Sequence, residues 1–308
     1  MFGKRLVTNM IERSAETPND RRRFLRNAGL AGLGTIGATS LAGMGSASAA
    51  GPSDASILNF ALNLEYLEAE FYSWAAFGHG LDPADTTGTG RYGLVTGGKK
   101  VDFDTKAIKN YATEIAWDEI GHVKFLRAAL GSAKVSRPGI NIQEAFNTAA
   151  HAAGLAQGND VFDPYANEDN FLLAAFIFED VGVTAYKGAA PLIDNKAYLD
   201  AAAGILSVEA YHAGIVRTSL YSKELYDQAR AISGARDSLD GPTDDDRGIG
   251  TEDVSNLVPA DKNSITYSRS PKQVLNIVYL TDKVAKKGGF FPHGTNGSIN
   301  YSGDNEQK

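Results

Sequence analysis

The segment WDEIGHVKFL, residues 117–126, places Glu119 and His122 three residues apart within a helical pattern of apolar residues. On a helix with 3.6 residues per turn, positions i and i+3 project from one face, so this carboxylate and imidazole can bind one metal ion together. The stripe that carries them is otherwise apolar, with Ile108, Ala112, Ile115, Leu126 and Ala129. Apolar stripes face the core of a protein. The pair therefore predicts a buried polar site rather than a surface glutamate beside an ordinary core histidine.

The same spacing recurs in VEAYHAG, residues 208–214, where Glu209 precedes His212. Each Glu-x-x-His pair follows a helical segment that has one glutamate on its apolar face and a tyrosine seven residues later. The chain thus repeats one unit twice, as Glu65, Tyr72, Glu119, His122 and then Glu179, Tyr186, Glu209, His212. Four helices with this inward pattern predict two half-sites that face each other.

The composition limits the chemistry of such a site. The chain has no cysteine, so any metal must be bound by carboxylates and imidazoles, which suit Fe(II), Mn(II) or Zn(II). Four carboxylates and two divalent cations would form a nearly neutral buried site. Without metal, the carboxylates would repel one another in an apolar core, and some of them would have to hold protons.

The 3.6-residue periodicity predicts an all-α fold built from four long helices. About 37 residues, 131–167, separate the second helix from the third. A connection of this length is typical of a four-helix bundle whose second and third helices run parallel, because the chain must cross over. The predicted helices run from about Asp54 to Phe77, Thr105 to Leu130, Glu168 to Gly188, and Asn195 to past Tyr221.

Further elements are predicted outside the four helices. A Gly-rich insertion covers residues 78–102, and within it residues 95–101 are predicted to form a hairpin on a Gly-Gly turn. A short helix is expected at 143–153. After the bundle, an acidic loop is predicted to be solvated, with Asp237, Asp240, Asp244, Asp245 and Asp246. A fifth helix is predicted from Pro271 to about Lys287, because Ser270 and Gln273 can form a capping box around Pro271.

The order Glu, Glu-x-x-His, Glu, Glu-x-x-His resembles that of the ferritin-like di-metal carboxylate superfamily. Within it, residues 58–72 (LNFALNLEYLEAEFY), 117–126, 208–214 and the tail 273–281 (QVLNIVYLT) resemble the ferritin-like-domain family that includes desiccation-related proteins. The resemblance implies a ferritin-like four-helix bundle that binds two divalent metal ions, Fe or Mn. By that resemblance the bridging ligands are Glu119 and Glu209, the terminal ligands are Glu65 and Glu179, and His122 and His212 each bind one metal. Glu68, one turn after Glu65, is the alternative ligand on the first helix.

The resemblance implies a protein that handles iron or reactive oxygen species under stress or desiccation, with dioxygen, peroxide or iron as small-molecule partners. One alternative is a manganese-catalase-like dismutation of peroxide. Another is a non-catalytic structural stress protein. A ferritin-type storage cage is disfavoured, because the Gly-rich insertion and the C-terminal extension would obstruct simple cage packing. The sequence leaves open whether the chain forms a homo-oligomer.

Several residues near the ligands have separate predictions. Tyr72 and Tyr186 are expected to donate hydrogen bonds to the ligand carboxylates, with redox chemistry as the alternative role. The acidic residues Glu114, Asp118 and Asp180 are expected to pair with Lys or Arg on neighbouring helices. The other histidines are expected in loops that face solvent, and they are His79, His151 and His293.

Residues 1–49 have the features of an export signal. The run Asp20-Arg21-Arg22-Arg23-Phe24-Leu25-Arg26 precedes a mildly apolar stretch and the small-x-small sequence Ala47-Ser48-Ala49. This pattern resembles a twin-arginine signal peptide, which predicts recognition by the twin-arginine translocase and cleavage near Ala49. The mature protein is then expected in the periplasm or outside the cell.

The predicted domains are the signal at 1–49, the four-helix bundle at 50–228, and a C-terminal extension at 229–308 that packs on the bundle. Outside the signal the chain carries 23 basic and 34 acidic residues. This negative charge disfavours a nucleic-acid partner.

Overall fold

The computed structural model describes residues 51–304, so the predicted twin-arginine segment lies outside the described residues. Four long helices dominate the structure: α1 (Asp54–Phe77), α2 (Lys106–Leu130), α4 (Glu168–Ala189) and α5 (Lys196–Ser222), with a short helix α3 (Glu144–Ala152) in the crossover. These bounds agree with the predicted helices to within about two residues. Helix α1 begins where the Ser53 side chain accepts a hydrogen bond from the amide of Ser56, and it ends at Gly78, whose φ is 80°.

The ends of the helices establish the predicted crossover. Helix α1 packs mainly on α2, and α4 packs mainly on α5. The carboxylate of Glu168, the first residue of α4, accepts hydrogen bonds from the backbone and hydroxyl of Thr105, which precedes α2, at 2.8 and 2.7 Å. The same carboxylate pairs with Lys223, just after α5, at 2.7 Å. Helices α2 and α4 therefore begin at one end of the bundle, as the ferritin-like arrangement requires.

The predicted hairpin in the Gly-rich insertion is wrong. Strand β1 (Val95–Thr96) pairs in parallel with β2 (Ile140–Asn141), so the crossover supplies its partner strand. Gly97 and Gly98 follow β1 with φ values of 90° and 100°. A Cβ on Gly98 would lie 2.5 Å from the ring of Trp74, and one on Gly97 would lie 2.6 Å from Gln143. The two glycines thus permit close packing of the chain rather than a hairpin turn.

The C-terminal extension contains two helices, α6 (Tyr226–Asp240) and α7 (Pro271–Tyr279). The capping box of Ser270 and Gln273 is present at the start of α7. This helix is shorter than predicted, because Leu280 adopts the left-handed conformation and the Asn276 side chain binds the carbonyl oxygens of Thr281 and Gly303. Helix α6 was not predicted, since its buried face includes Ser233, Arg236 and Asp240 in place of an apolar stripe.

The prediction of a solvated acidic loop is correct for Asp244, whose side chain is 65% exposed, and wrong for Asp240 and Asp246, which are buried. Asp240 is the last residue of α6, and it pairs through its Oδ2 with Nε of Arg269 at 2.6 Å; Asp246 also pairs with Arg269. Asp180 of α4 pairs with Arg217 and Arg236 at 2.7 and 3.0 Å, and Arg236 pairs with Asp246 at 2.7 Å. We call these six buried residues the Arg–Asp cluster: Asp180, Arg217, Arg236, Asp240, Asp246 and Arg269. They attach the extension to α4 and α5.

The core of the bundle is largely apolar, although α1 also buries polar residues such as Asn63 and Glu70. Aromatic side chains fill one end, where Phe71 packs against Phe146, Phe171 and Phe178 at centroid distances of 5.2 to 5.7 Å.

Within residues 51–304, none of the helices combines the length and hydropathy needed to cross a membrane.

Candidate metal centre

The six predicted ligands meet in the middle of the bundle. Each of the four long helices contributes at least one of them near its centre, and all six are buried. We call this set the Glu–His cluster: Glu65, Glu119, His122, Glu179, Glu209 and His212. These six positions lie on the apolar stripes that repeat every 3.6 residues, and these stripes face the core. The periodicity that forms the core therefore also places the charged side chains together.

One half of the cluster surrounds His122. Its Nδ1 lies 3.2 Å from Oε2 of Glu65, 3.5 Å from Oε2 of Glu119 and 3.5 Å from Oε1 of Glu209. These four residues offer ligand atoms that all lie within 4.8 Å of one another. An imidazole nitrogen and three carboxylates at this separation can enclose one divalent ion.

The other half surrounds His212. Its Nδ1 lies 3.1 Å from Oε1 of Glu119 and 3.8 Å from Oε2 of Glu179. Glu179, Glu209 and His212 form a second set whose ligand atoms lie within 4.8 Å of one another. Glu209 belongs to both sets, and Glu119 approaches one imidazole with each of its oxygens. Glu119 and Glu209 therefore lie between the halves, where the resemblance put the bridging ligands.

The polar atoms of this cluster lie close to one another but lack the well-directed hydrogen bonds that buried polar atoms normally form. Among the described residues, eight of its buried atoms have no hydrogen-bond partner: Oε2 of Glu65, both carboxylate oxygens of Glu119, Nδ1 of His122, Oε2 of Glu179, both carboxylate oxygens of Glu209, and Nδ1 of His212. An unpaired buried polar group costs about 1–3 kcal/mol. All eight atoms are of types that bind Fe or Mn ions, and they converge on one space, so the residues present fit a pair of metal ions.

The electrostatics of the metal-free cluster favour bound protons. Burial, reinforced by Glu119 and Glu209, raises the pKa of Glu65 to about 8, although His122 opposes the shift. Burial alone would raise the pKa of Glu119, but the two imidazoles lower it well below its usual range. Burial works against the charged form of His212, yet Asp118, Glu119 and Glu179 raise its pKa to about 11. A bound metal would have to displace these protons, because imidazoles and carboxylates ligate in their deprotonated forms.

Two tyrosines brace the terminal glutamates, as predicted. The hydroxyl of Tyr72, on α1, donates a hydrogen bond to Oε1 of Glu179 on α4. The hydroxyl of Tyr186, on α4, donates one to Oε1 of Glu65 on α1. Burial raises the pKa of both tyrosines well above the usual range, so both hydroxyls keep their protons. Each half of the repeat thus holds the terminal glutamate of the other.

The structure separates Glu65 from the alternative Glu68. Glu65 faces His122, whereas Glu68 is outside both candidate ligand sets. Glu68 is nevertheless buried beside the cluster, and burial together with the carboxylates of the cluster raises its pKa well above the usual range. Its side chain extends towards Gly182, where an added Cβ would lie 3.5 Å from Oε1 of Glu68 and 3.1 Å from Oε2 of Glu209.

The predictions for the flanking acidic residues have mixed outcomes. Asp180 pairs with two arginines, as predicted. Asp118 was predicted to pair with Lys or Arg, but its Oδ2 lies 3.1 Å from Nε2 of His212. Asp118 precedes Glu119, and one helical step of about 100° turns it towards the neighbouring helix α5. Glu114 is exposed.

The remaining histidines lie away from the cluster. His79 and His293 are exposed, as predicted. His151 lies in α3 rather than in a loop, and its Nε2 is 2.9 Å from the carbonyl oxygen of Asp160.

Comparison with known proteins agrees with this architecture. The sequence profile of the ferritin-like domain matches residues 53–222. The chain is 31% identical over 269 residues to the ferritin-like catalase Nec2 of Nesocodon mauritianus, covering 80% of this chain and 84% of that protein. It is also 31% identical to the desiccation-related protein PCC13-62 of Craterostigma plantagineum, over 80% of this chain and 83% of that one. No solved structure matches the chain. With its bundle, its crossover and its buried Glu–His cluster, this chain belongs to the ferritin-like domain family.

Proposed function

We propose that the Glu–His cluster binds two iron or manganese ions and that the resulting centre decomposes hydrogen peroxide. The observation that carries the proposal is the set of eight unpartnered carboxylate and imidazole atoms that converge in the bundle core. The name of one relative, a ferritin-like catalase, supports peroxide as the substrate. Two redox-active ions, when bound, supply the two-electron couple that peroxide dismutation requires.

The glutamates and tyrosines have different roles in the proposed centre. Glu119 and Glu209 lie between the half-sites and would bridge the ions, while Glu65 and Glu179 would each bind one ion from the side. Tyr72 and Tyr186 fix one oxygen of each terminal glutamate and leave Oε2 of each without a hydrogen-bond partner. With one oxygen held, each terminal carboxylate keeps the orientation that ligation needs.

The burial of the cluster restricts its substrate. All four glutamates are at most 1% exposed, and the histidine side chains are 11% exposed at His122 and 3% at His212. The four long helices pack together around the cluster. A molecule with two heavy atoms, such as dioxygen or hydrogen peroxide, suits this buried site, whereas a bulky organic substrate does not.

The test measures metal content and peroxide turnover on the same protein. Metal-free protein is reconstituted with Fe(II) or Mn(II) under anaerobic conditions, analysed for bound metal, and assayed for oxygen release from hydrogen peroxide. We expect about two ions per chain in the parent. His122→Ala and His212→Ala should each lose most of one ion and most of the activity, whereas the exposed His293→Ala should retain both.

The outcomes separate the alternatives. Failure to bind any first-row transition metal contradicts the whole proposal. Two bound ions without oxygen release would retain the metal centre, reject peroxide as the substrate, and favour the non-catalytic stress protein.

We also propose that the protein is exported in a folded state through the twin-arginine route. The support is the sequence around Arg21 and Arg22 and the small residues that end at Ala49. Replacing both arginines with lysine should leave the full-length protein in the cytoplasm, as measured by cell fractionation. Undiminished export of that double variant would reject this route.

A further inference from the structure

The two Glu-x-x-His pairs differ in the residue that immediately precedes the glutamate. Asp118 immediately precedes Glu119 in the first Glu-x-x-His pair, and Val208 immediately precedes Glu209 in the second. Both positions are half-buried on the helices that carry the histidines. The repeat therefore presents a carboxylate on α2 and an isopropyl group at the equivalent place on α5.

Asp118 acts on the histidine of the other half. Its Oδ2 lies 3.1 Å from Nε2 of His212, whose Nδ1 faces Glu119 at 3.1 Å. The carboxylate accepts a hydrogen bond from Nε2 and keeps the proton on that nitrogen. When a metal displaces the proton of Nδ1, the lone pair of Nδ1 therefore faces the space between the glutamates. The same hydrogen bond fixes the plane of the ring and makes the imidazole a stronger donor to a metal.

His122 has no such support. Its Nδ1 faces Glu65, Glu119 and Glu209 in the same way. Within residues 51–304, however, neither a side chain nor a backbone group forms a hydrogen bond or ion pair with its Nε2, and Val208 has no polar atom to offer. Among the described residues, the ring of His122 is thus positioned by packing and by the glutamates of the cluster.

From this difference we infer that the two metal positions are unequal and that Asp118 is the positioning residue responsible. The ion bound by His212 binds first and more tightly, and the ion bound by His122 binds second. The inference rests on the proposed metal binding. Removing a carboxylate that orients a metal-binding histidine typically lowers metal affinity by about 10–100-fold, which sets the expected separation of the two affinities.

The experiment titrates Mn(II) into metal-free protein under anaerobic conditions, with calorimetry and electron paramagnetic resonance recorded at each step. The parent should show two binding events separated by about 10–100-fold in affinity. At one equivalent, most of the metal should give the six-line signal of an isolated Mn(II) ion. At two equivalents that signal should fall as the coupled pair forms.

Two variants assign the inequality to the contact. In Asp118→Asn the tighter event should weaken by about 10–100-fold while the weaker event stays, so the isolated-ion signal at one equivalent diminishes. Glu114→Gln removes the same charge from the exposed face of α2, one turn earlier, and should titrate like the parent. The ratio of the two affinities is the deciding readout, because a general loss of stability would weaken both binding events together.

Three results would overturn the inference. They are two equal affinities in the parent, equal weakening of both events in Asp118→Asn, and the same change in Glu114→Gln. Each of these leaves the proposed di-metal function intact. A parent that binds no Mn(II) and no Fe(II) would overturn both the inference and the proposed function.

Discussion

The Glu–His cluster and the Arg–Asp cluster are both buried, but they differ in how their buried charges are balanced. In the Arg–Asp cluster, three guanidinium groups face three carboxylates supplied by the chain itself. In the Glu–His cluster, four carboxylates face two imidazoles, and eight polar atoms have no hydrogen-bond partner among the described residues. Glu179 and Asp180 are neighbours on α4, and one helical step sends each into a different cluster. Four atoms of the Arg–Asp cluster also lack a hydrogen-bond partner among the described residues, but its carboxylates face cations of the chain itself, whereas the carboxylates of the Glu–His cluster outnumber their imidazoles. The comparison distinguishes a site whose charges the chain balances from one that calls for added cations.

The largest effect should come from removing one cation of the Arg–Asp cluster. Arg269→Met would leave Asp240 and Asp246 buried without their shared partner, and even with Arg269 present burial raises the pKa of Asp240 to about 6. We expect a loss of about 3–5 kcal/mol in the free energy of unfolding, with or without metal. Chemical denaturation measures it.

Arg230→Ala is the matched control, because Arg230 pairs with Asp227 on the surface with 61% and 88% of the two side chains exposed. This change should cost less than about 1 kcal/mol. Equal losses at the two arginines would show that the buried pairs add nothing.

Removing a charge from the Glu–His cluster should stabilise the metal-free protein, whereas removing a charge from the Arg–Asp cluster destabilises it. Burial and the neighbouring Glu119 raise the pKa of Glu209, so the charged form destabilises the fold until metal binds. Glu209→Gln should therefore melt about 2–4 °C above the parent without metal. It should also lose most of the thermal stabilisation that saturating Mn(II) gives the parent, which is about 4 kcal/mol at a thousandfold excess over Kd. A Glu209→Gln protein that melts lower than the parent without metal would contradict this interpretation.

Stability should depend on pH up to higher pH values in the Glu–His cluster than in the Arg–Asp cluster, where the raised pKa of Asp240 is about 6. Glu65 has a pKa of about 8 in the fold against an ordinary 4.5, so the folded metal-free chain holds a proton that the unfolded chain has lost between these values. Stability from this group is present below pH 4.5 and is lost as the pH rises towards 8. Metal binding displaces protons and strengthens with pH.

The expected result is a melting temperature of metal-free protein that falls from pH 5 to pH 8, and a metal-induced gain that grows over the same range. Scanning calorimetry with and without Mn(II) measures both. A metal-induced gain that is independent of pH would mean that the cluster does not release protons on binding.

The smallest expected effect on stability and on metal binding comes from adding a methyl group at Gly182, beside the Glu–His cluster. A Cβ at Gly182 would lie 3.1 Å from Oε2 of Glu209, whereas a Cβ at Gly204, on the exposed face of α5, would meet nothing within 4 Å. Gly204→Ala should stabilise the protein by about 1 kcal/mol through helix propensity and leave metal affinity unchanged. Gly182→Ala should lack that gain and weaken Mn(II) binding several-fold, as measured by calorimetric titration. Identical behaviour of the two alanine variants would place Glu209 away from Gly182 in solution.

The sequence predicted the parts of the molecule that depend on local periodicity. The four helices, the crossover and the inward direction of the six cluster residues all follow from stripes that repeat every 3.6 residues. The tyrosine hydrogen bonds also follow, since Tyr72 and Tyr186 lie two turns from Glu65 and Glu179 on the same faces. Metal ligation by the six residues stays a prediction.

The parts that were missed depend on contacts between distant segments. The sequence around Asp240 and Asp246 predicts a solvated loop, because their partner Arg269 lies more than twenty residues further along the chain. Helix α6 buries Arg236 because Asp180 and Asp246 neutralise it, so its pattern lacks the apolar stripe that identifies a helix. Strand β1 finds its partner in β2, more than forty residues away, and no local turn signal reveals that pairing.

The crossed hydrogen bonds from Tyr72 to Glu179 and from Tyr186 to Glu65 also bear on how such a chain can arise. Each repeat depends on the other, because its tyrosine hydroxyl donates a hydrogen bond to the terminal glutamate of the other repeat. One repeat alone would leave its glutamate and its tyrosine without these hydrogen bonds. An ancestral helical hairpin could complete this arrangement only by pairing with a second copy of itself. Duplication and fusion would then preserve a symmetry that began between two molecules, and the Asp118 and Val208 difference would record where the fused copies have since diverged.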